Sequence, residues 1–143
     1  MSCGSVLPRE GGARPTEIGV AVGDNVRVPT ILIVDDHPQF RATARALLEC
    51  DGFDVVGDAP TGAAGLDAIR SLRPDVVLLD VRLPDGDGFA LAERMAADGD
   101  GPVIILTSSS DDPLYPERAV RSGARGFVTK HDLCGPAFAQ LLH

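Results

Sequence analysis

The sequence predicts a doubly wound α/β domain built on a five-stranded parallel sheet. Two observations lead to that fold class. Three short apolar runs, TILIV (30–34), DVVLL (75–79) and PVIILT (102–107), are continuous blocks rather than alternations, the pattern of strands covered on both faces. Between the apolar runs lie amphipathic stretches with apolar residues three and four apart, the pattern of the crossover helices that join parallel strands.

Taken in order, residues 1–28 mix Gly, Pro and Val without either period and are expected to be a disordered extension, with at most a weak strand at 18–22. TILIV is the first strand. In PQFRATARALLECDG, Pro38 suits a first helical turn, Phe40, Ala44, Leu47 and Leu48 share a face, and Gly52 ends the helix. FDVVGD (53–58) is more mixed and fits a sheet edge. In TGAAGLDAIRSLRP, Thr61 caps the helix, Leu66, Ile69 and Leu72 face inward, and Pro74 prevents continuation. DVVLL is the third strand, and GFALAERMAADG repeats the helical scheme with Phe89, Ala92 and Met95. After PVIILT, a fourth helix within 113–123 is expected to begin only past Pro116. RGFVT (125–129) makes a second edge strand. A short fifth helix at 136–142 offers Phe138, Leu141 and Leu142 as one face. Right-handed crossovers and mixed edges favour strand order 2-1-3-4-5, a flavodoxin-like sheet with a shortened last helix. So short a helix should leave an apolar patch on the side of the fourth helix and fifth strand, either a dimer or partner surface or the mark of a truncated gene.

With 143 residues, 44% of them hydrophobic, the chain is long enough for one domain with a real core. A net charge of −8 argues against direct nucleic-acid binding, which needs a basic face. Charges balance within 1–28, so the acid excess belongs to 29–143. Cys3, Cys50 and Cys134 lie far apart with no CxxC; they fit neither a disulfide framework nor a zinc site and point to a reducing cytoplasm. No apolar stretch reaches membrane-span length, and the start lacks the pattern of a signal peptide. A cytoplasmic protein without membrane contact is expected.

For strand order 2-1-3-4-5 the binding crevice lies beyond the carboxyl ends of the first and third strands. The first strand ends on Asp35-Asp36 and the third on Asp80. Carboxylates brought this close demand either a raised pKa or a cation. An all-oxygen set favours Mg²⁺, with the main-chain carbonyl of Arg82 as a further ligand. Thr107 follows from the fourth strand, with Ser108 beside it. Lys130, the only lysine against twelve arginines, follows the fifth and reads either as a partner for phosphate oxygens or as a helix-capping or salt-bridging residue. Together the groups support phosphoryl transfer: Asp80 as in-line nucleophile, Thr107 donating to a phosphoryl oxygen, Lys130 and Mg²⁺ neutralising charge, and an aspartyl phosphate as product. His37, just before Pro38, is assigned to the start of the first helix and given no chemical role.

ILIVDDHP, DVVLLDVRLPDGDG, VIILTSS and ARGFVTK, in this order over roughly 29–135, resemble the receiver domain of bacterial two-component response regulators. The resemblance implies that Asp80 accepts phosphate from a histidine kinase and that Asp35, Asp36 and Asp80 hold Mg²⁺. It also implies that Thr107 and Lys130 sense the phosphoryl group, with Phe127 at the position of the switch aromatic; Phe127 reads equally as an edge-strand core residue. DDHP is similar to the subgroup that usually carries a helix-turn-helix DNA-binding output. His131 replaces the proline that most relatives have after the lysine, so no cis peptide is expected there. Residues 29–143 are thus expected to be a receiver without an output domain. It would signal through a downstream partner or a homodimer on the fourth-helix, fifth-strand, fifth-helix face, and catalyse only its own phosphoryl transfer and dephosphorylation. Alternatives are a degenerate or truncated receiver acting as an interaction module, and a haloacid-dehalogenase-like phosphatase. That phosphatase needs an Asp two residues after the nucleophile, where this chain has Arg82. A flavodoxin-like cofactor site is disfavoured because Asp35-Asp36 would repel a phosphate.

Overall fold

The computed structural model describes residues 28–97 and 99–142; the expected extension, except Val28, and the weak strand at 18–22 lie outside the described residues. Strands and helices alternate: β1 (Thr30–Val34), α1 (Pro38–Cys50), β2 (Asp54–Ala59), α2 (Gly62–Leu72), β3 (Val76–Asp80), α3 (Gly88–Ala96), β4 (Val103–Ser108), α4 (Tyr115–Arg121), β5 (Gly126–Thr129) and α5 (Ala137–Leu141). The five strands form one parallel sheet in the order β2-β1-β3-β4-β5, the order expected. A two-residue antiparallel ladder, Arg82–Leu83 against Gly86–Asp87, folds the loop after β3 back on itself.

The continuous apolar runs are explained by burial on both faces. Ile31 and Ile33 of β1 pack with Ala44 and Leu48 of α1 and with Phe138 of α5. Leu32 and Val34 point the other way, into a cluster with Val77, Leu79, Phe89 and Met95. Alternate side chains therefore feed two cores, and no position in the strand is free to be polar until the strand ends. The helix signals act as read: Thr61 accepts the Ala64 N–H at 3.0 Å, and Gly52 takes the left-handed conformation after α1 (φ 94°), which only glycine adopts without steric cost.

Four expectations need correction. Leu72 is 44% exposed: it lies in the last turn of α2 at the sheet edge, its Cδ1 resting on Gly57 of the edge strand β2 where a Cβ would come within 2.8 Å. α4 begins at Tyr115, with Pro116 inside its first turn, where the missing N–H has no partner to lose. The face of α5 is mostly covered, with Phe138 at 1% exposure and Leu141 and Leu142 half-buried; exposed apolar side chains are instead found at α4, on its N-cap Leu114 and on Val120, at 62% and 61%. Cys50 is disulfide-bonded, while Cys134 is free.

Candidate functional site

The buried strands end in polar side chains at one edge of the sheet. Asp35 follows β1 and is fully buried; Asp80, the last residue of β3, is 4% exposed. Thr107 of β4 is the register partner of Asp80. Lys130 follows β5 and opens a single 3₁₀ turn, Lys130–Asp132.

Lys130 Nζ lies 2.7 Å from Asp35 Oδ2 and 3.4 Å from Asp80 Oδ2, and 4.3 Å from the centroid of the Phe40 ring. The other oxygen of Asp35 accepts the His37 main-chain N–H at 2.8 Å and lies 3.0 Å from His37 Nδ1. The same ring nitrogen is 3.1 Å from Asp36 Oδ1 at the exposed rim. Asp80 Oδ1 accepts the Arg82 N–H at 3.2 Å, while Arg82 itself is exposed. The Thr107 hydroxyl is buried and has no hydrogen-bond partner.

The two buried aspartates are driven apart electrostatically. Burial pushes the Asp80 carboxyl up to about 6, the neighbouring Asp35 adds to the rise, and the Arg82 N–H and Lys130 oppose it. Burial also acts against ionised Asp35, but the Lys130 ammonium and the His37 N–H outweigh it and hold this carboxyl below its ordinary value. Asp35 is therefore the fixed anion of the pair, and Asp80 is the more basic carboxylate.

Backbone packing fixes the position of Asp80. Gly88, at the start of α3, approaches the end of β3 so closely that a Cβ there would collide with the main-chain oxygen of Asp80 and lie 2.8 Å from Val81 Cα. Its N–H donates to the Val81 carbonyl at 2.8 Å. Asp87 caps α3 through the Phe89 N–H at 2.8 Å.

Asp35, Asp36, His37 and Asp80 each present a ligand atom within 4.8 Å of the others. Three of the four are carboxylates, and Asp35 Oδ2 has no hydrogen bond, only its ion pair with Lys130. A hard cation of Mg²⁺ type fits this donor set, and the imidazole is its least suited member.

All predicted strand-end residues are thus at one edge. Phe127 lies farther along β5, half-buried, with its ring 5.5 Å from that of Tyr115. The Lys130–His131 peptide is trans, with no cis bond among the described residues. Three contributors escaped the sequence reading. Asp-x-His before a helix is a turn signal that would have placed the His37 N–H on Asp35. Asp85 accepts the N–H groups of Gly62 and Ala63 at 2.8 and 3.0 Å, tying the loop after β3 to the start of α2, and nothing local in the sequence announces that contact. Phe40 reads simply as a core residue of α1.

Among the described residues no helix is long and apolar enough to cross a membrane. The sequence profile of the response regulator receiver domain matches residues 31–133. Over 102 residues the chain is 39% identical to the response regulator GacA of Pseudomonas syringae pv. syringae, covering 70% of this chain and 47% of GacA; the chain spans about half the length of the curated relatives it matches. Among solved structures, the signal receiver domain of NarL from Mycobacterium tuberculosis superimposes with a TM-score of 0.71 at 31% identity, covering 82% of this chain and 98% of that one. A LuxR-family two-component response regulator from Aurantimonas sp. SI85-9A1 gives a TM-score of 0.70 at 28% identity, covering 81% and 86%. With a profile match across most of its length and the matching sheet order, this chain belongs to the response regulator receiver domain family.

Proposed function

We propose that this domain is a working phospho-acceptor and that Asp80 is the residue modified. The observation that carries the reading is the meeting of a basic buried carboxylate, the lone lysine and an unpartnered hydroxyl at one sheet edge. An oxygen of Asp80 attacks the phosphorus of a phosphohistidine in line. The new P–O bond forms as the P–N bond breaks, and the departing imidazole takes up a proton. Lys130 pairs with phosphoryl oxygen in exchange for its long contact to Asp80, and Thr107 donates to a second phosphoryl oxygen. Mg²⁺, held by Asp35, Asp36, Asp80 and the main-chain carbonyl of Arg82, would supply neutralisation of the remaining phosphoryl charge.

Turning the Thr107 hydroxyl toward Asp80 frees space beside β5 that Phe127 enters, repacking the α4–β5–α5 face. That face then engages a downstream protein or a second copy, and a histidine kinase is the donor. A cytoplasmic location and the absence of direct nucleic-acid contact by residues 29–143 belong to the same reading. A haloacid-dehalogenase-type phosphatase is disfavoured, since the acid it needs two residues after Asp80 is replaced by exposed Arg82. The test is borohydride reduction after phosphorylation, which converts an aspartyl phosphate to homoserine. Homoserine at position 80 supports the assignment, and homoserine elsewhere, or none, contradicts it.

A further inference from the structure

We infer that Phe40 is a positioning residue for phosphoryl transfer: its ring face holds the Lys130 ammonium at the site while that ammonium changes partners. Nζ stands 4.3 Å from the ring centroid, inside the range of a cation–π attraction. Its remaining neighbours are carboxylates, Asp35 at 2.7 Å and Asp80 at 3.4 Å.

The three supports differ in kind. Asp35 is a fixed anion, and Asp80 must give up the ammonium when it becomes an acyl phosphate. The ring draws the cation electrostatically yet takes none of its three N–H donors. It can therefore keep Lys130 in place throughout the exchange without competing for the phosphoryl oxygen.

Phe40 is itself anchored. It lies in the first turn of α1, half-buried against the core shared with α5. The next residue, Arg41, donates its Nη1 to the Asp35 carbonyl at 2.7 Å and its main-chain N–H to the His37 carbonyl at 3.0 Å. The segment carrying the ring is thus tied to the same turn that carries Asp35.

This inference rests on the phosphoryl-transfer reading of the site, and the test separates the two. Lys130 is the only lysine, so protein labelled with ε-¹³C-lysine gives one ε-carbon signal, read before any phosphorylation. An ammonium held over a ring face shows an upfield ring-current shift of its ε protons. That shift should disappear in Phe40→Leu and persist in Phe40→Tyr. A signal at the random-coil position in the unsubstituted protein would overturn the inference, whatever Asp80 does.

The second arm measures acyl-phosphate formation from phosphoramidate. Phe40→Leu should slow it about three- to tenfold, and Phe40→Trp should keep it within about twofold. Replacing Phe40 with mono-, di- and trifluorinated phenylalanine leaves the shape nearly constant while draining the ring face of electron density. A stepwise fall in rate along this series is expected, and a merely structural ring would give none. A flat series in a protein that phosphorylates normally overturns the role of Phe40 while leaving that of Asp80 intact. Failure of the unsubstituted protein to phosphorylate counts against the underlying reading instead.

Discussion

Thr107 faces Asp80 across the β3–β4 pairing, and its hydroxyl, on a residue only 1% exposed, has no hydrogen-bond partner. A buried hydroxyl left unpaired costs on the order of 1–3 kcal/mol. Such a cost is understandable if the missing partner is an oxygen that arrives on Asp80. Thr107→Val should therefore stabilise the unphosphorylated domain by about 1 kcal/mol, seen as a higher urea midpoint at unchanged slope. The same variant should lose the response to phosphorylation. Tyr115 is the only tyrosine in a chain without tryptophan and its ring touches Phe127, so its fluorescence reports that response. A destabilised Thr107→Val with a normal Tyr115 response would contradict the assignment.

The raised pKa of Asp80 sets a pH signature. Below its ordinary value of 3.8 the carboxyl is protonated folded or unfolded, and it contributes nothing. Between 3.8 and about 6 the folded state keeps a proton that the unfolded state has released, so stability falls as pH rises. Above about 6 the full penalty of a buried carboxylate applies. Asp80→Asn should then stabilise the fold by about 1–3 kcal/mol at pH 7 and by nothing near pH 3.5. The rate of reaction with a small phosphodonor should rise with pH and level off above about 6. A stability gain that does not depend on pH would contradict this origin.

Gly88 tests how Asp80 is positioned. Since a Cβ there meets the main chain of Asp80 and Val81, which cannot rotate away, Gly88→Ala should cost about 1–3 kcal/mol. It should also slow phosphorylation beyond what lost stability explains, measured at a temperature where the variant is fully folded. Normal kinetics in the folded variant would show that this close approach is not needed.

Lys130→Met leaves Asp35 and Asp80 buried together without their cation. The expected loss is about 3 kcal/mol near neutral pH, diminishing on acidification as the carboxylates take up protons. If the acidic cluster holds Mg²⁺, adding it should raise the melting temperature of Lys130→Met more than that of the unsubstituted protein. An equal rise in both would place the ion elsewhere.

Much of this was legible in sequence because parallel strands buried on both faces leave a continuous apolar signal. Val76 to Leu79 followed by Asp80 could only be a strand stopping at a polar edge, and the sheet order then joined Asp80 to Asp35, Thr107 and Lys130. What sequence could not supply was the arrangement among them. The preference of Lys130 for Asp35 over Asp80, and the closeness of Phe40, depend on how α1 docks onto β1 and β2. Helix periodicity gives the buried face but not the rotamer or depth of Phe40. Leu72 shows the same limit, since its spacing marks it as inward while its place over Gly57 at the sheet edge leaves it 44% exposed. The start of α4 differs from the expected one because Pro116 falls in the first turn, where a proline is compatible with a helix.

Every role assigned to Thr107, Lys130 and Phe40 depends on Asp80 being the phospho-acceptor. Intact mass after incubation with phosphoramidate, with and without Mg²⁺, tests it most directly, with Asp80→Ala alongside. One phosphoryl adduct that needs Mg²⁺ and is absent from Asp80→Ala is the expected result. No adduct on the folded protein, or an adduct that survives in Asp80→Ala, would contradict it.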